Sequence, residues 1–122
     1  MTYVDGFLIR IPKKKLNAYK KMATWGGKVW MKYGALNYKE CVLDDMPKGD
    51  MAGVPFTKRV DAKSTDTVIF SYIEYKSKAH RDAVNKKVMK DPGMNQFDPK
   101  DMPFTMKDMS SAGFKVLVDR KK

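Results

Sequence analysis

The sequence predicts an α+β fold of order strand–helix–strand–strand–helix–strand, the ferredoxin-like βαββαβ arrangement with a four-stranded antiparallel sheet. Three observations carry this. Val68–Tyr75 is apolar on both alternating faces, with Val68, Phe70 and Tyr72 on one and Ile69, Ile73 and Tyr75 on the other; a strand of this kind needs cover on both sides. The segment after it places His80, Ala83, Val84 and Val88 at helical spacing, a stripe that covers one side only. Lys13–Tyr33 is the longest helical pattern, with Leu16, Tyr19, Met22, Ala23, Gly26, Trp30 and Tyr33 on one face and lysines crowding the other.

Taken in order, Tyr3–Ile11 reads as the first strand, again apolar on both faces through Val4, Phe7, Leu8 and Ile9. Gly6 within it suggests a bulge or a close backbone approach. Pro12 stands where a helix can begin without losing an internal hydrogen bond. Gly26 and Gly27 in the middle of the first helix cost about 1 kcal/mol each relative to alanine, which close packing of helix on sheet or a kink would explain. Gly34 is a C-terminal stop, and Ala35–Leu43 is the second strand.

The turn-rich stretch that follows holds Pro47, Gly49, Gly53 and Pro55, and Phe56–Ala62 contains a short extended segment in this reading. Ser77 is the expected N-cap of the second helix, which Asp91–Pro92–Gly93 ends. From Met94 to Ser111 the chain is irregular and rich in methionine, a residue that commonly fills gaps. Ala112–Val118 is the last strand. The two long loops, 44–59 and 93–111, are of a length that often lines sites.

At 122 residues the chain is expected to form a single domain, 1–122, with 43% hydrophobic residues arguing against disorder. No apolar run approaches the roughly 18–20 residues of a membrane span. The amino terminus lacks the basic-then-apolar layout of a signal peptide. The lone Cys41 excludes an internal disulfide, which suits a reducing cytosol.

The net charge of +11 raises the question of nucleic acid. Only Arg10, Arg59, Arg81 and Arg120 are arginines, whereas base reading and phosphate clamping favour that residue. The lysines are dispersed, so a solvated surface is the preferred reading and lysine-driven nucleic-acid or partner binding the lesser one.

The residues also carry a family resemblance. YVDGF at Tyr3–Phe7, GAL at Gly34–Leu36, EC at Glu40–Cys41, VIFSYIEY at Val68–Tyr75, KAHRDAVNKKVMKDP at Lys78–Pro92, MPF at Met102–Phe104 and GF at Gly113–Phe114 together resemble the YbaA-like proteins, small bacterial proteins of unknown function. The resemblance implies the dimeric α+β barrel superfamily and brings no catalytic residues with it. Where that family usually continues from Met102–Phe104 with Asp-Gly-Lys-Arg-Met, Thr105–Met109 stand here, so no loop arginine is implied.

Two helices cover one face of such a sheet, and an apolar second face left bare is larger than monomers usually tolerate. A homodimer packed face to face is therefore expected. Among chemical candidates, His80 is the only histidine; it reads as a packed histidine or an acid–base group. Arg81 reads as an anion clamp or as the partner of a carboxylate on the other chain. Glu40 and Glu74 are candidate bases if either faces the interior, and Asp5 is weighed similarly. Cys41 lacks a basic activator, and Ser71 lacks a nucleophile elbow. Trp30 belongs to the inward helix face, and Trp25 falls off it, toward a pocket rim or interface.

No phosphate loop and no metal-ligand spacing occurs, so no cofactor and no metal is expected. The function read from this is a homodimer binding a small anionic or aromatic molecule between sheet and helices, lined by His80, Arg81, Trp30 and Tyr72. The alternative is a cofactor-free monooxygenase- or isomerase-type enzyme using His80 or an interior glutamate.

Overall fold

The structure, a computed structural model, describes all residues from Met1 to Lys122. Its elements are β1 (Tyr3–Pro12), a 3-10 turn (Lys13–Lys15), α1 (Leu16–Lys32), β2 (Asn37–Val42), α2 (Phe56–Arg59), β3 (Asp66–Tyr75), α3 (Lys78–Met89) and β4 (Met109–Lys115). The strands form one antiparallel sheet in the order β2-β3-β1-β4. This is the ferredoxin-like α+β arrangement that strand and helix order implied.

Alternation sorts the residues of β1 and β3 between two faces. Phe7, Ile9, Ile11, Ile69, Ile73 and Tyr75 look toward the helices, whereas Val4, Leu8, Phe70, Tyr72 and Glu74 look away. Two clusters make the core. Val29, Ala35, Ile73, Tyr75, Val84 and Val88 join the end of α1 to α3 and β3. Ile9, Ile11, Tyr19, Ala23 and Ile69 join the start of α1 to the sheet centre. The Ser77 hydroxyl accepts the His80 N–H and caps α3. Gly34, at φ +114°, takes the left-handed turn that stops α1.

Several expectations need correction. Pro12 ends β1, and three residues of 3-10 turn separate it from α1. Gly6 sits in an unbroken ladder, opposite Tyr72 and Ala112, so there is no bulge; the space above it is taken by the Phe114 ring. Phe56–Arg59 is a helical turn rather than an extended segment. The last strand starts three residues early, at Met109, and ends at Lys115. Leu117 and Val118 lie beyond it and are exposed, because the register with β1 ends at Tyr3 opposite Lys115, with one further bond from the Val116 N–H to the Thr2 carbonyl. On α3 the inward stripe is Val84 and Val88; Ala83 is exposed.

The second sheet face is not wholly bare. Arg10 and Val68 lie on it, yet Val68 is only 2% exposed. The segment 56–61 folds across that end, where the Arg10 guanidinium donates to the carbonyls of Val60 and Asp61. Arg10 also holds Asp108 at 3.0 Å. The remainder of this face stays open, with Phe70 46% and Phe114 56% exposed.

Candidate functional site

On the helix-covered face a cavity of about 650 Å³ lies between the sheet, α1 and the segment 94–108. This volume is in the range of small-molecule sites, roughly 300–1,000 Å³. Its wall is mostly apolar: Phe7, Trp25, Trp30 and Phe104 contribute aromatic rings, and five methionines border it. The irregular segment runs as three short 3-10 turns, Pro92–Gln96, Pro99–Asp101 and Met106–Asp108. It is pinned through Phe97, whose ring meets Trp25 edge-on at 4.8 Å, and through Asp108. The methionines of this segment therefore border the cavity as well as filling space.

Glu40 is the polar feature of the wall. It lies on β2 facing the helices, opposite Ser71 in the ladder. Its Oε1 accepts the Tyr19 hydroxyl at 2.6 Å, and its Oε2 accepts the Tyr38 hydroxyl at 2.7 Å. Burial, reinforced by the Glu40 carboxylate, pushes both phenols far above their ordinary pKa, so each stays an O–H donor. The glycine pair of α1 makes this clamp possible. A Cβ on Gly26 would lie 2.9 Å from the Tyr38 oxygen, and one on Gly27 would lie 3.1 Å from the Tyr38 ring. Close helix–sheet packing is thus the reason for the two glycines, and α1 runs through them as one helix.

Tyr19, Ala23, Tyr38 and Glu40 also border a second, outer groove of about 900 Å³ between α1 and the free edge of β2, rimmed by Lys20 and Lys28. The clamp is therefore a partition between an apolar interior and a basic edge.

The other sequence candidates go elsewhere. Of the four residues expected to line one cleft, only Trp30 borders the cavity. Tyr72 lies on the opposite sheet face, because it is an odd number of residues from the inward-facing Ser71 and Ile73. His80 sits in the first turn of α3, where its Nδ1 accepts the Lys76 N–H at 3.0 Å and its ring meets Tyr75 edge-on at 6.0 Å.

Arg81 is engaged within its own chain. Its guanidinium binds Asp5 at 2.7 Å and Asp82 at 2.8 Å and lies 5.1 Å from the centre of the Tyr3 ring. Asp5 is buried, and burial holds its carboxyl above the usual value although Arg81 acts in the opposite sense. Next to this pair, the Asn85 oxygen accepts from Trp30 Nε1 at 3.1 Å and from the Tyr75 hydroxyl at 3.2 Å. These polar groups tie α1, α3, β1 and β3 together.

Glu74 looks away from the helices, paired with Val4 and Asn37 in the ladder, so the interior glutamate is Glu40. Cys41 is exposed on the second face. No cluster of three or more His, Cys, Asp or Glu side chains could hold a metal ion. No helix is long and apolar enough to cross a membrane. Sequence reading missed Tyr19 and Tyr38 as partners of Glu40.

Comparison with known proteins bears on the fold and the family. A crystal structure of an uncharacterised NIPSNAP domain protein from Burkholderia xenovorans superposes with a TM-score of 0.59 at 15% identity, covering 98% of this chain and 99% of that one. A dimeric ferredoxin-like protein from an uncultured marine organism gives 0.58 at 13% identity, covering 98% and 100%. At these identities the likeness concerns the fold alone. The uncharacterised protein YbaA of Escherichia coli K12 is 41% identical over 119 residues, 98% of this chain and 99% of its own length, and the Shigella flexneri protein of that name matches equally. The model of the family described as "Protein of unknown function (DUF1428)" matches residues 2–106. With the near full-length likeness to YbaA, this places the chain in that family of unknown function.

Proposed function

We propose that this protein is a homodimer joined through the open part of its sheet, each subunit binding a small molecule with a compact apolar or aromatic body in the cavity under α1. The observation that carries the binding reading is the cavity itself: about 650 Å³, lined by aromatic rings and methionines around one clamped carboxylate. A ligand that is itself anionic fits poorly, because Arg81 is committed to Asp5 and Asp82. The enzymatic alternative narrows to Glu40, because Glu74 faces away from the cavity and His80 lies outside it with its Nδ1 engaged.

The dimer is supported by Leu8, Phe70 and Phe114 lying on one open face, and by a structural neighbour described as a dimeric ferredoxin-like protein. Stable interfaces hide about 800 Å² per partner. Sedimentation at micromolar concentration tests this: the parent is expected to run as a dimer and Phe70→Glu as a monomer with native circular dichroism, and a monomeric parent refutes it.

The cavity is tested by tryptophan emission. Both tryptophans of the chain, Trp25 and Trp30, border it. A panel of small aromatic and alicyclic fragments is expected to include molecules that shift that emission saturably. A panel without any response overturns the binding reading.

A further inference from the structure

Glu40 is the charged side chain that alternation aims into the cavity. Lys39 borders the same space, but as the next residue along β2 it is turned to the opposite sheet face. A carboxylate offers about four acceptor sites, and Tyr19 and Tyr38 each occupy one, on different oxygens. Acceptor capacity is left on both oxygens. The two phenols beside it are spent as donors to Glu40 and offer nothing to an incoming anion. Ser71, directly across the ladder, adds one small hydroxyl to this wall. Apart from the Thr105 hydroxyl, the rest of the cavity wall is aromatic, aliphatic or thioether, and the lysines Lys20 and Lys28 rim the groove on the far side of the clamp.

Resting on the cavity reading above, we propose that Glu40 selects the ligand: the cavity takes an apolar or aromatic molecule carrying one O–H or N–H donor, a phenol or aryl amine, which hydrogen-bonds the clamped carboxylate. The carboxylic acid of the same skeleton is disfavoured, because it would bring a second negative charge against Glu40 along a mostly apolar wall with no cation between them. A hydrogen bond from a neutral donor to a charged acceptor is among the stronger kind. The Tyr19 and Tyr38 hydroxyls keep the carboxylate from rotating away, so the acceptor is aimed before the ligand arrives.

The test is a calorimetric titration of the purified protein with four molecules of one skeleton: 2-naphthol, 2-naphthylamine, 2-naphthoate and 2-methylnaphthalene. Naphthol or naphthylamine is expected to bind about tenfold or more tighter than naphthoate, and the two donors separate hydroxyl from amine recognition. In Glu40→Gln this gap should shrink to about threefold or less, with methylnaphthalene binding unchanged. Should Glu40→Gln fail to fold, Tyr19→Phe keeps the charge and frees an acceptor site, and it should retain the preference for donors. Equal binding of naphthol, naphthylamine and naphthoate overturns the assignment to Glu40 while leaving the cavity reading intact, as does a gap that persists in Glu40→Gln. If all four fail to bind, methylnaphthalene included, the cavity reading itself is refuted.

Discussion

Replacing Arg81 by methionine keeps most of the apolar stem and removes the guanidinium that faces Asp5. In the parent the pair is 2.7 Å apart, with the side chains only 20% and 10% exposed. Removing one partner of a buried pair costs about 3–5 kcal/mol, because a charge is left without compensation. Here the estimate is lower, about 2–4 kcal/mol, since the Arg81 side chain keeps some contact with water. That total includes the lost stacking over Tyr3, about 0.5–1 kcal/mol.

The pH dependence has a definite sign. Burial already holds Asp5 above its ordinary value, and without Arg81 it rises further. Native protein then binds a proton that the unfolded chain does not, from about 3.9 up to the raised value. Stability therefore grows as pH falls through that window. Urea unfolding at about pH 7 and about pH 5, at one protein concentration, should show a larger deficit for Arg81→Met at the higher pH. Asp5→Asn added to Arg81→Met should restore part of the loss and abolish its pH dependence. A deficit below about 0.5 kcal/mol at pH 7, or one of equal size at both pH values, would refute the account.

Gly26→Ala gains about 1 kcal/mol of helix propensity but drives a Cβ to 2.9 Å from a Tyr38 oxygen already bound to Glu40. Breaking a hydrogen bond to a charged group costs about 1.5–3 kcal/mol, so a net loss of about 0.5–2 kcal/mol is expected in urea unfolding; a gain of the full helix term would show that Tyr38 moves freely. Acid should weaken the fold from the other side. The Tyr33 hydroxyl and the Gly93 N–H hold Asp91 below its usual value, and the Thr105 N–H, with Arg10, does the same for Asp108. Both contribute stability above about pH 4 that is lost as pH falls through their lowered values. Asp91→Asn combined with Asp108→Asn should flatten the stability profile between about pH 4 and pH 2, and an unchanged slope would count against these two groups.

The sheet was legible because β1 and β3 are apolar at successive positions, which no one-sided strand requires; the two faces they serve are both present. The open face was only partly readable. That segment 56–61 folds back across it depends on Arg10 reaching the carbonyls of Val60 and Asp61, a contact spanning some fifty residues that no local pattern announces. The four residues expected to line one cleft do not come together for a similar reason. Arg81 stands out in the sequence for its chemistry, yet its partner Asp5 lies 76 positions away. Helical spacing alone puts His80 on the inward stripe, but it falls in the capping turn, where Ser77 and Lys76 determine what surrounds it.

The clamp on Glu40, by contrast, follows from lengths that the sequence already contains. Gly34 ends α1 and β2 starts three residues later, so strand and helix run back side by side from one turn. Measured from Gly34 along the helix at 1.5 Å per residue, Gly26 is about 12 Å away and Tyr19 about 22 Å. Along the strand at roughly 3.3 Å per residue, Tyr38 is about 13 Å away and Glu40 about 20 Å. Tyr38 therefore arrives level with the glycine pair, and Glu40 level with Tyr19. Tyr38 and Glu40, two apart, share a strand face, while Tyr19 and Gly26, seven apart, share a helix face. One residue inserted between Gly34 and Tyr38 would turn Lys39 inward and Glu40 out. The carboxylate in the cavity is thus a consequence of the length of a single short turn.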